Sequence, residues 1–314
     1  MAITDVNAAA VDVSKWFVET NNNADPNTVN VSFYPYITKN PIAVPTQTSF
    51  ETYPKPLASS IQILTNNSSV EQTQTVSFSE TLTETTSSST TEGYSTGQNI
   101  SSASTFTSAV TTRFSSIGFE HTFLVETNSD YNHSSTEEIS KSVERQWNVS
   151  QSVTVAPYSQ VTSTLVIFGA DLSIPIEITA TILGQGVAQG FTVLYTNSTY
   201  YKLSGGSYSQ ALLASQMYQP SCPAMPACFA SYNVHSGELF LKGVANTGIT
   251  PGLYATVRYD ETSLPGSPNT SAPRSWYSNE VLLRDGTIAI IPDIDPKTGT
   301  VIPSKNGPKE VQRS

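Results

Sequence analysis

Few residues in this 314-residue chain stand at a spacing that acid–base, nucleophilic or metal chemistry could use. The three histidines, His121, His133 and His235, are scattered, and no HExxH, Walker loop, GxSxG or dinucleotide fingerprint occurs. Gly184-Gln-Gly186 is an isolated glycine pair and reads as a turn. Serine is so abundant that some Ser must fall near a His or Asp by chance, so a hydrolase ranks below the readings that follow. Cys222 and Cys228 enclose Pro223 to Ala227, a spacing that allows a small disulfide loop and equally two free thiols. No histidine or third cysteine stands near them at ligand spacing, so they are not a metal site. The sequence therefore predicts no catalytic residue, no metal and no cofactor.

The remaining chemistry is that of surfaces. Fifteen basic against 25 acidic residues give a net charge of −10, without the clustered Lys and Arg that phosphate binding needs. Nucleic acid is excluded as a partner on this ground, and electrostatic docking to anionic lipid is disfavoured. The start, Met1 to Phe17, has no basic n-region and no apolar run, so no secretory signal is visible. The best apolar run, Leu165 to Ala170, falls far short of the roughly 18 residues of a transmembrane helix. Any membrane role must use strands.

The elements that would position such surfaces are β-strands. Charged residues make up 13% of the chain, about half the usual globular share, and Ser, Thr and Asn fill the gap. Thr tolerates a pleated, water-facing surface, whereas helices prefer Glu and Lys there. One short helix is predicted at the start: Val6, Ala9, Ala10, Val13, Trp16 and Phe17 recur at helical spacing, Asp5 can cap it and Asn21-Asn22-Asn23 ends it. Residues 24 to 56, with six prolines and several exposed rings, read as loops and short edge strands. From Pro56 to Pro157 no proline intervenes, which argues against a disordered or glycosylated Ser/Thr linker. Val70, Val76, Phe78 and Leu82 share one parity with Ser and Thr on the other, and Ile139, Val143, Trp147, Val149, Val153 and Val155 repeat the pattern over some seventeen positions. Both read as unusually long strands. Further strands are predicted at Leu165, at Ile174 to Ile182, at Glu238 to Val244, at Leu253 to Tyr259, at Glu280 to Leu283 and at Thr287 to Ile291, with a loop-like aromatic stretch over 188–232. The tail from Pro292 reads as protease-accessible.

Between the two long strands lies Ile100 to Glu126. With Ser115-Ser116 as a two-residue turn, Phe114 faces Ile117, Val110 faces His121 and Phe106 faces Val125. Phe106, Val110, Phe114, Ile117, Phe119, Phe123 and Val125 then share one face; Arg113, Glu120 and Glu126 share the other. Each arm exceeds the roughly 9 to 11 residues that a tilted transmembrane strand requires. Period-two alternation describes an ordinary sandwich hairpin equally well. Two details favour insertion: the apolar face is diluted by Ser102, Ser104, Ser108 and Thr112, as suits a segment stored at the surface, and the tip Phe114 to Phe119 is apolar where a soluble turn is polar.

Ile61-Gln-Ile-Leu-Thr-Asn-Asn67, Gln72-Thr-Gln-Thr-Val-Ser-Phe78, the Thr/Ser run to Thr91, Gly93, Trp147-Asn-Val-Ser150, Leu165-Val-Ile167 and Gly252-Leu-Tyr-Ala-Thr-Val-Arg-Tyr259 form an ordered series. It resembles the epsilon-toxin/mosquitocidal-toxin family of aerolysin-type β-pore-forming toxins, and within it insecticidal crystal proteins of spore-forming bacilli, over about residues 60 to 260. The resemblance implies an all-β, elongated, aerolysin-like fold with long antiparallel strands, a short N-terminal helix and a receptor-binding head. On this reading residues 1–60, 188–232 and 265–285 form the head, and 61–187 with 233–264 the β-sheet body that holds hairpin 100–126. It also implies deposition in a sporulation-associated crystal, proteolytic activation and action outside the producing cell. There the protein would bind a receptor, oligomerise with its own copies and insert a barrel into the target lipid membrane. In that barrel the apolar face of the hairpin meets lipid, and Arg113, Glu120 and Glu126 line the lumen.

The activation cuts are expected in segment 292–314, at Lys297, Lys305, Lys309 or Arg313, because no Lys or Arg occurs between Lys55 and Arg113. Receptor binding is expected from Tyr34, Tyr36, Tyr200, Tyr201, Trp276 and Tyr277, whose rings offer contact area at low entropic cost. The alternative function is a non-lytic adhesin or lectin-like spore-surface protein, which would share the β composition and the tyrosines.

Overall fold

The computed structural model describes residues 2–33, 36–95, 104–113, 122–131, 134–184, 186–188, 191–193, 197–203, 205–268, 272–290 and 309–311. Strand β1 (Ala2–Asp5) leads into helix α1 (Val6–Asn22), where Asp5 Oδ1 accepts from the backbone N–H groups of Asn7 and Ala8 at 2.8 and 3.1 Å. Asn23, in the left-handed region at φ 54°, ends the helix. Four strands follow, β2 (Asn30–Phe33), β3 (Tyr36–Pro45), β4 (Ser49–Glu51) and β5 (Lys55–Asn66). The predicted loops and short edge strands over 24–56 are thus partly corrected. β3 runs for ten residues despite Pro41 and Pro45, because it is an edge strand whose ladder needs hydrogen bonds on one side only.

The two long strands are β6 (Gln72–Ser95, 24 residues) and β9 (Ile139–Val155, 17 residues), with β7 (Ser104–Arg113) and β8 (Thr122–Tyr131) between them. Beyond come β10 (Ser159–Gly169) and β11 (Leu172–Gly184), then the short strands β12 (Gly186–Ala188), β13 (Phe191–Val193), β14 (Asn197–Leu203) and β15 (Gly206–Leu212). β16 (Phe229–Asn233), β17 (Glu238–Ile249), β18 (Gly252–Ser263), β19 (Arg274–Tyr277), β20 (Glu280–Leu283), β21 (Ile288–Ile290) and β22 (Lys309–Val311) complete the chain. The loop-like reading of 188–232 missed the sheet β15-β14-β2, because β15 is exposed along most of its length and no face alternates.

One seven-stranded sheet has the order β1-β6-β17-β11-β3, with β9 also on β6 and β16 on β17; a second runs β22-β21-β20-β18-β10-β5, with β19 on β18. Val76, Phe78, Trp147, Val149 and Val153 of β6 and β9 meet Leu165, Ile167, Val257 and Tyr259 of the second sheet in one sandwich core. A second core joins Ile174, Ile176 and Ile178 of β11 to Val110, Val125, Leu253 and Leu283. A third packs α1 through Val6, Ala10 and Val13 against Ile182, Leu212, Met217, Leu239 and the two free thiols Cys222 and Cys228, both buried.

The Ser and Thr surplus finds its place on the outer face of the β6–β9 ribbon. Opposed hydroxyls approach at Thr73–Thr154 (3.5 Å), Ser77–Ser150 (3.3 Å), Thr85–Ser142 (2.9 Å) and Ser87–Ser140 (3.1 Å). Past Leu82 the inner face of β6 turns polar as well, with Glu84, Thr86, Ser88 and Thr90 all buried.

Candidate membrane-inserting hairpin and its anchorage

β7 and β8 pair antiparallel, as predicted, in a different register. The ladder sets Phe106 opposite Ser129, Ala109 opposite Glu126, Val110 opposite Val125, Thr112 opposite Phe123 and Arg113 opposite Thr122. Each β7 residue therefore pairs with a β8 residue further along the chain than a Ser115-Ser116 turn would allow. Along β8 the displacement is four residues, an even number, so the division of the arms into two parities survives. The gain that sets this register is visible in the core: Val110 and Val125, opposed to each other, are both fully buried, whereas the predicted register opposed Val110 to His121. Phe114, Ile117, Phe119, Glu120 and His121 lie outside the described residues.

The hairpin belongs to neither large sheet. With β4 it forms its own three-stranded sheet, in which Ser49, Phe50 and Glu51 pair in parallel with Thr111, Thr112 and Arg113. The expectation of a surface-stored apolar face is corrected where Val110 and Val125 meet Ile174, Ile176 and Ile178, since those two positions are core. Phe50 of β4 and Phe168 pack, partly buried, on the same cluster. The short parallel β4 strand adds a ladder of only three residue pairs to hold the edge.

β6, the strand that leads into the hairpin, carries a buried ion cluster. Glu84 of β6 is 5% exposed and receives both terminal nitrogens of Arg284, which follows β20; the Nη2–Oε2 contact is 2.7 Å. The backbone N–H of Gly252 donates to the same carboxylate at 2.8 Å, and Arg284 Nη1 donates to the Gly252 carbonyl at 2.8 Å. Arg145 of β9 donates to the Arg284 carbonyl at 3.2 Å. Burial, and then the neighbouring Arg284 charge, pull the Arg145 guanidinium below its usual range while Glu84 opposes them. A Cβ at 252 would stand 2.8 Å from both the Leu82 and the Trp147 side chains, so glycine there lets both close on the strand and any larger residue displaces them. A signal for this cluster did exist in the sequence: Glu84 has the parity of Val76 and Phe78, a carboxylate on the apolar face.

The receptor-binding candidates are not brought together. Tyr34 lies outside the described residues, and Tyr36 opens β3 opposite Gly184. Tyr200 is exposed on β14, but Tyr201 is buried, accepts a hydrogen bond from Asn22 at 2.9 Å and stacks on Tyr208 at 6.1 Å. Tyr201 is thus held by the fold rather than presented, as α1 packs over it. Trp276 and Tyr277 stand half-buried on β19, with the Arg274 guanidinium 4.9 Å from the Trp276 ring. Of the tail candidates, Lys309 lies in β22, paired with Ile290 of β21, and Lys297, Lys305 and Arg313 lie outside the described residues. Among the described residues no group of three or more His, Cys, Asp or Glu could hold a metal ion, and no helix is long and apolar enough to cross a membrane.

Residues 18–273 match the family model for Clostridium epsilon toxin ETX/Bacillus mosquitocidal toxin MTX2. The chain belongs to the ETX/MTX2 family. It is 29% identical over 272 residues to the pesticidal crystal protein Cry15Aa of Bacillus thuringiensis subsp. thompsoni, covering 84% of this chain and 76% of that one. Its fold is shared with three solved structures. A non-toxic crystal protein from Bacillus thuringiensis has a TM-score of 0.62 at 15% identity over 84% of this chain and 99% of that one. The Cry23Aa1–Cry37Aa1 binary complex gives 0.55 at 19% over 91% and 99%. The Mpp75Aa1.1 β-pore-forming protein from Brevibacillus laterosporus gives 0.50 at 15% over 87% and 95%. The all-β, aerolysin-like class is thereby established, and the ETX/MTX2 family is one of toxins rather than enzymes.

Proposed function

We propose that this ETX/MTX2 member is an insecticidal pore-forming toxin that is laid down in a crystal, cut by proteases, bound to a gut-cell receptor and assembled into a β-barrel. One observation carries the reading. Strands β7 and β8 lie in sequence between the two longest strands of the fold, yet they belong to neither large sheet, and among the described residues they are tied to the rest by two buried valines and a three-residue parallel strand. Releasing them breaks few ladder bonds. On this reading Phe106, Val110, Phe114, Ile117, Phe119, Phe123 and Val125 meet lipid, Arg113, Glu120 and Glu126 line the lumen, and cleavage falls at Lys297, Lys305, Lys309 or Arg313.

A non-lytic binding protein is the second reading, and it has one observation in its favour: a structural neighbour of the same fold is a non-toxic crystal protein. Dye release from vesicles of target-cell membrane after trypsin treatment separates the two. Wild type should release dye; Phe123→Asp should not, because a charge on the lipid side is costly and recurs in every subunit. Glu120→Lys with Glu126→Lys should still release it, with planar-bilayer reversal potentials moved toward anions. Absence of release from every trypsin-treated form would leave the binding-protein reading standing.

A further inference from the structure

A cleft of about 580 Å³ opens where β9 of one large sheet faces β19 and β20 of the other, within the size range of small-ligand sites. Trp276 and Tyr277 supply its aromatic wall, and Gln151, Ser152, Asn279 and Glu280 its polar groups. These are fixed rather than loose. The Tyr259 hydroxyl donates to Gln151 Oε1 at 2.6 Å, and Gln151 Nε2 donates to the Glu280 carbonyl at 3.5 Å. The Trp276 ring lies 5.4 Å from Tyr259 and 4.9 Å from Arg274, which in turn donates to Glu261. Beside this held frame, the side chains of Asn279 and Glu280 have no hydrogen-bond or ion-pair partner among the described residues. Burial, and then the Glu280 carboxylate that lines the cleft, push the Tyr259 hydroxyl above its ordinary range. A recess of about 160 Å³ adjoins, sharing Gln151 and Glu280 and backed by Val149, Leu282 and Ile288.

From this arrangement we infer that the β9–β19–β20 cleft binds a neutral pyranose unit of a cell-surface glycan. The inference rests on reading the chain as a cell-surface-binding toxin. A pyranose presents vicinal hydroxyls and an apolar C–H face. A free carboxylate accepts two hydroxyls at once, an amide both donates and accepts, and a ring covers the C–H face. The apolar-backed recess suits the methyl of an acetamido group, which points to hexose or N-acetylhexosamine. Sialylated and sulfated sugars are disfavoured by Glu280 and by the net charge of −10. Rings beside a carboxylate also attract a quaternary ammonium. Tyr259 and Arg274 already flank Trp276, which leaves Tyr277 as the ring to cover the C–H face, and a trimethylammonium leaves the amide of Asn279 unbonded.

The test is binding of the intact protein to immobilised neutral glycans ending in hexose or N-acetylhexosamine, beside acidic glycans and phosphatidylcholine vesicles. Saturable binding to at least one neutral glycan is expected, weakened tenfold or more by Glu280→Gln and by Asn279→Ala, with thermal stability unchanged in both. Trypsin-treated variants at high concentration should still release dye from glycan-free vesicles as wild type does, so loss of glycan binding and loss of pore formation are told apart. No binding to any neutral glycan, binding indifferent to both substitutions, or binding to phosphatidylcholine instead would each overturn the assignment.

Discussion

At the scale of single residues, the Glu84–Arg284 pair decides how the β6 strand is tied to the second sheet. Both partners are under a tenth exposed, so removing one strands the other without water. Glu84→Ala should lower the unfolding free energy by about 3–5 kcal/mol in urea titration, the usual cost of breaking a buried pair. Glu84→Met with Arg284→Met should recover most of that, since Arg145, more than a third exposed, can turn to solvent. A double variant as unstable as the single one would mean that the hydrogen bonds to Gly252, not the charges, hold the junction. Composition alone hid this site, for Glu84 is one carboxylate in a run of hydroxyls and its two arginines lie 61 and 200 residues away.

At the scale of elements, the hairpin register is open to a direct check. Cysteines at Thr107 and Asn128, opposed in the ladder, should cross-link on mild oxidation in a background where Cys222 and Cys228 are serine. A pair at Thr107 and Leu124, opposed in the register read from sequence, should not. Directly opposed Cα atoms lie about 4.5–5.5 Å apart, within disulfide reach, whereas a four-residue offset adds roughly 13 Å. The reverse result would restore the Ser115-Ser116 turn. Strand identity was legible because Val76, Phe78, Trp147 and Val149 alternate with hydroxyls along β6 and β9. Register was not, because parity is unchanged by any even slip and nothing local says that Val110 must find Val125. β4 was equally hidden, a three-residue strand whose pairing with β7 is purely tertiary. The site candidates fared similarly: Tyr200 and Tyr201 are neighbours in sequence, but strand alternation exposes one and buries the other.

At the scale of the whole molecule, the placement of charge sets where a protease can cut. Of fifteen basic residues, four lie in the tail, one of these, Lys309, in β22; of the other eleven, ten lie within strands or α1 and Arg284 is buried in a turn. Trypsin needs an extended, accessible segment, so limited digestion should trim the tail and leave one resistant fragment retaining Lys55 to Arg284, as mass mapping would show. Early cuts at Lys141 or Arg145 would mean that the β6–β9 ribbon opens readily. That ribbon has a further property. If β9 slid two residues along β6, Thr75 would meet Thr154, Ser77 would meet Ser152 and Ser79 would meet Ser150, so over these pairs one hydroxyl simply replaces another. That stretch acts as a smooth rail, and the outer face is marked only further along, where Gln146 donates to Ser79 at 3.0 Å beside Asn148 and Glu144. A deeper index mark is on the other side, where the Trp147 indole drops into the notch left by the missing side chain of Gly252. Gly252→Ala fills that notch, and the expected result is a ribbon with two settings instead of one, read as a doubled Trp147 indole resonance in a protein that still folds.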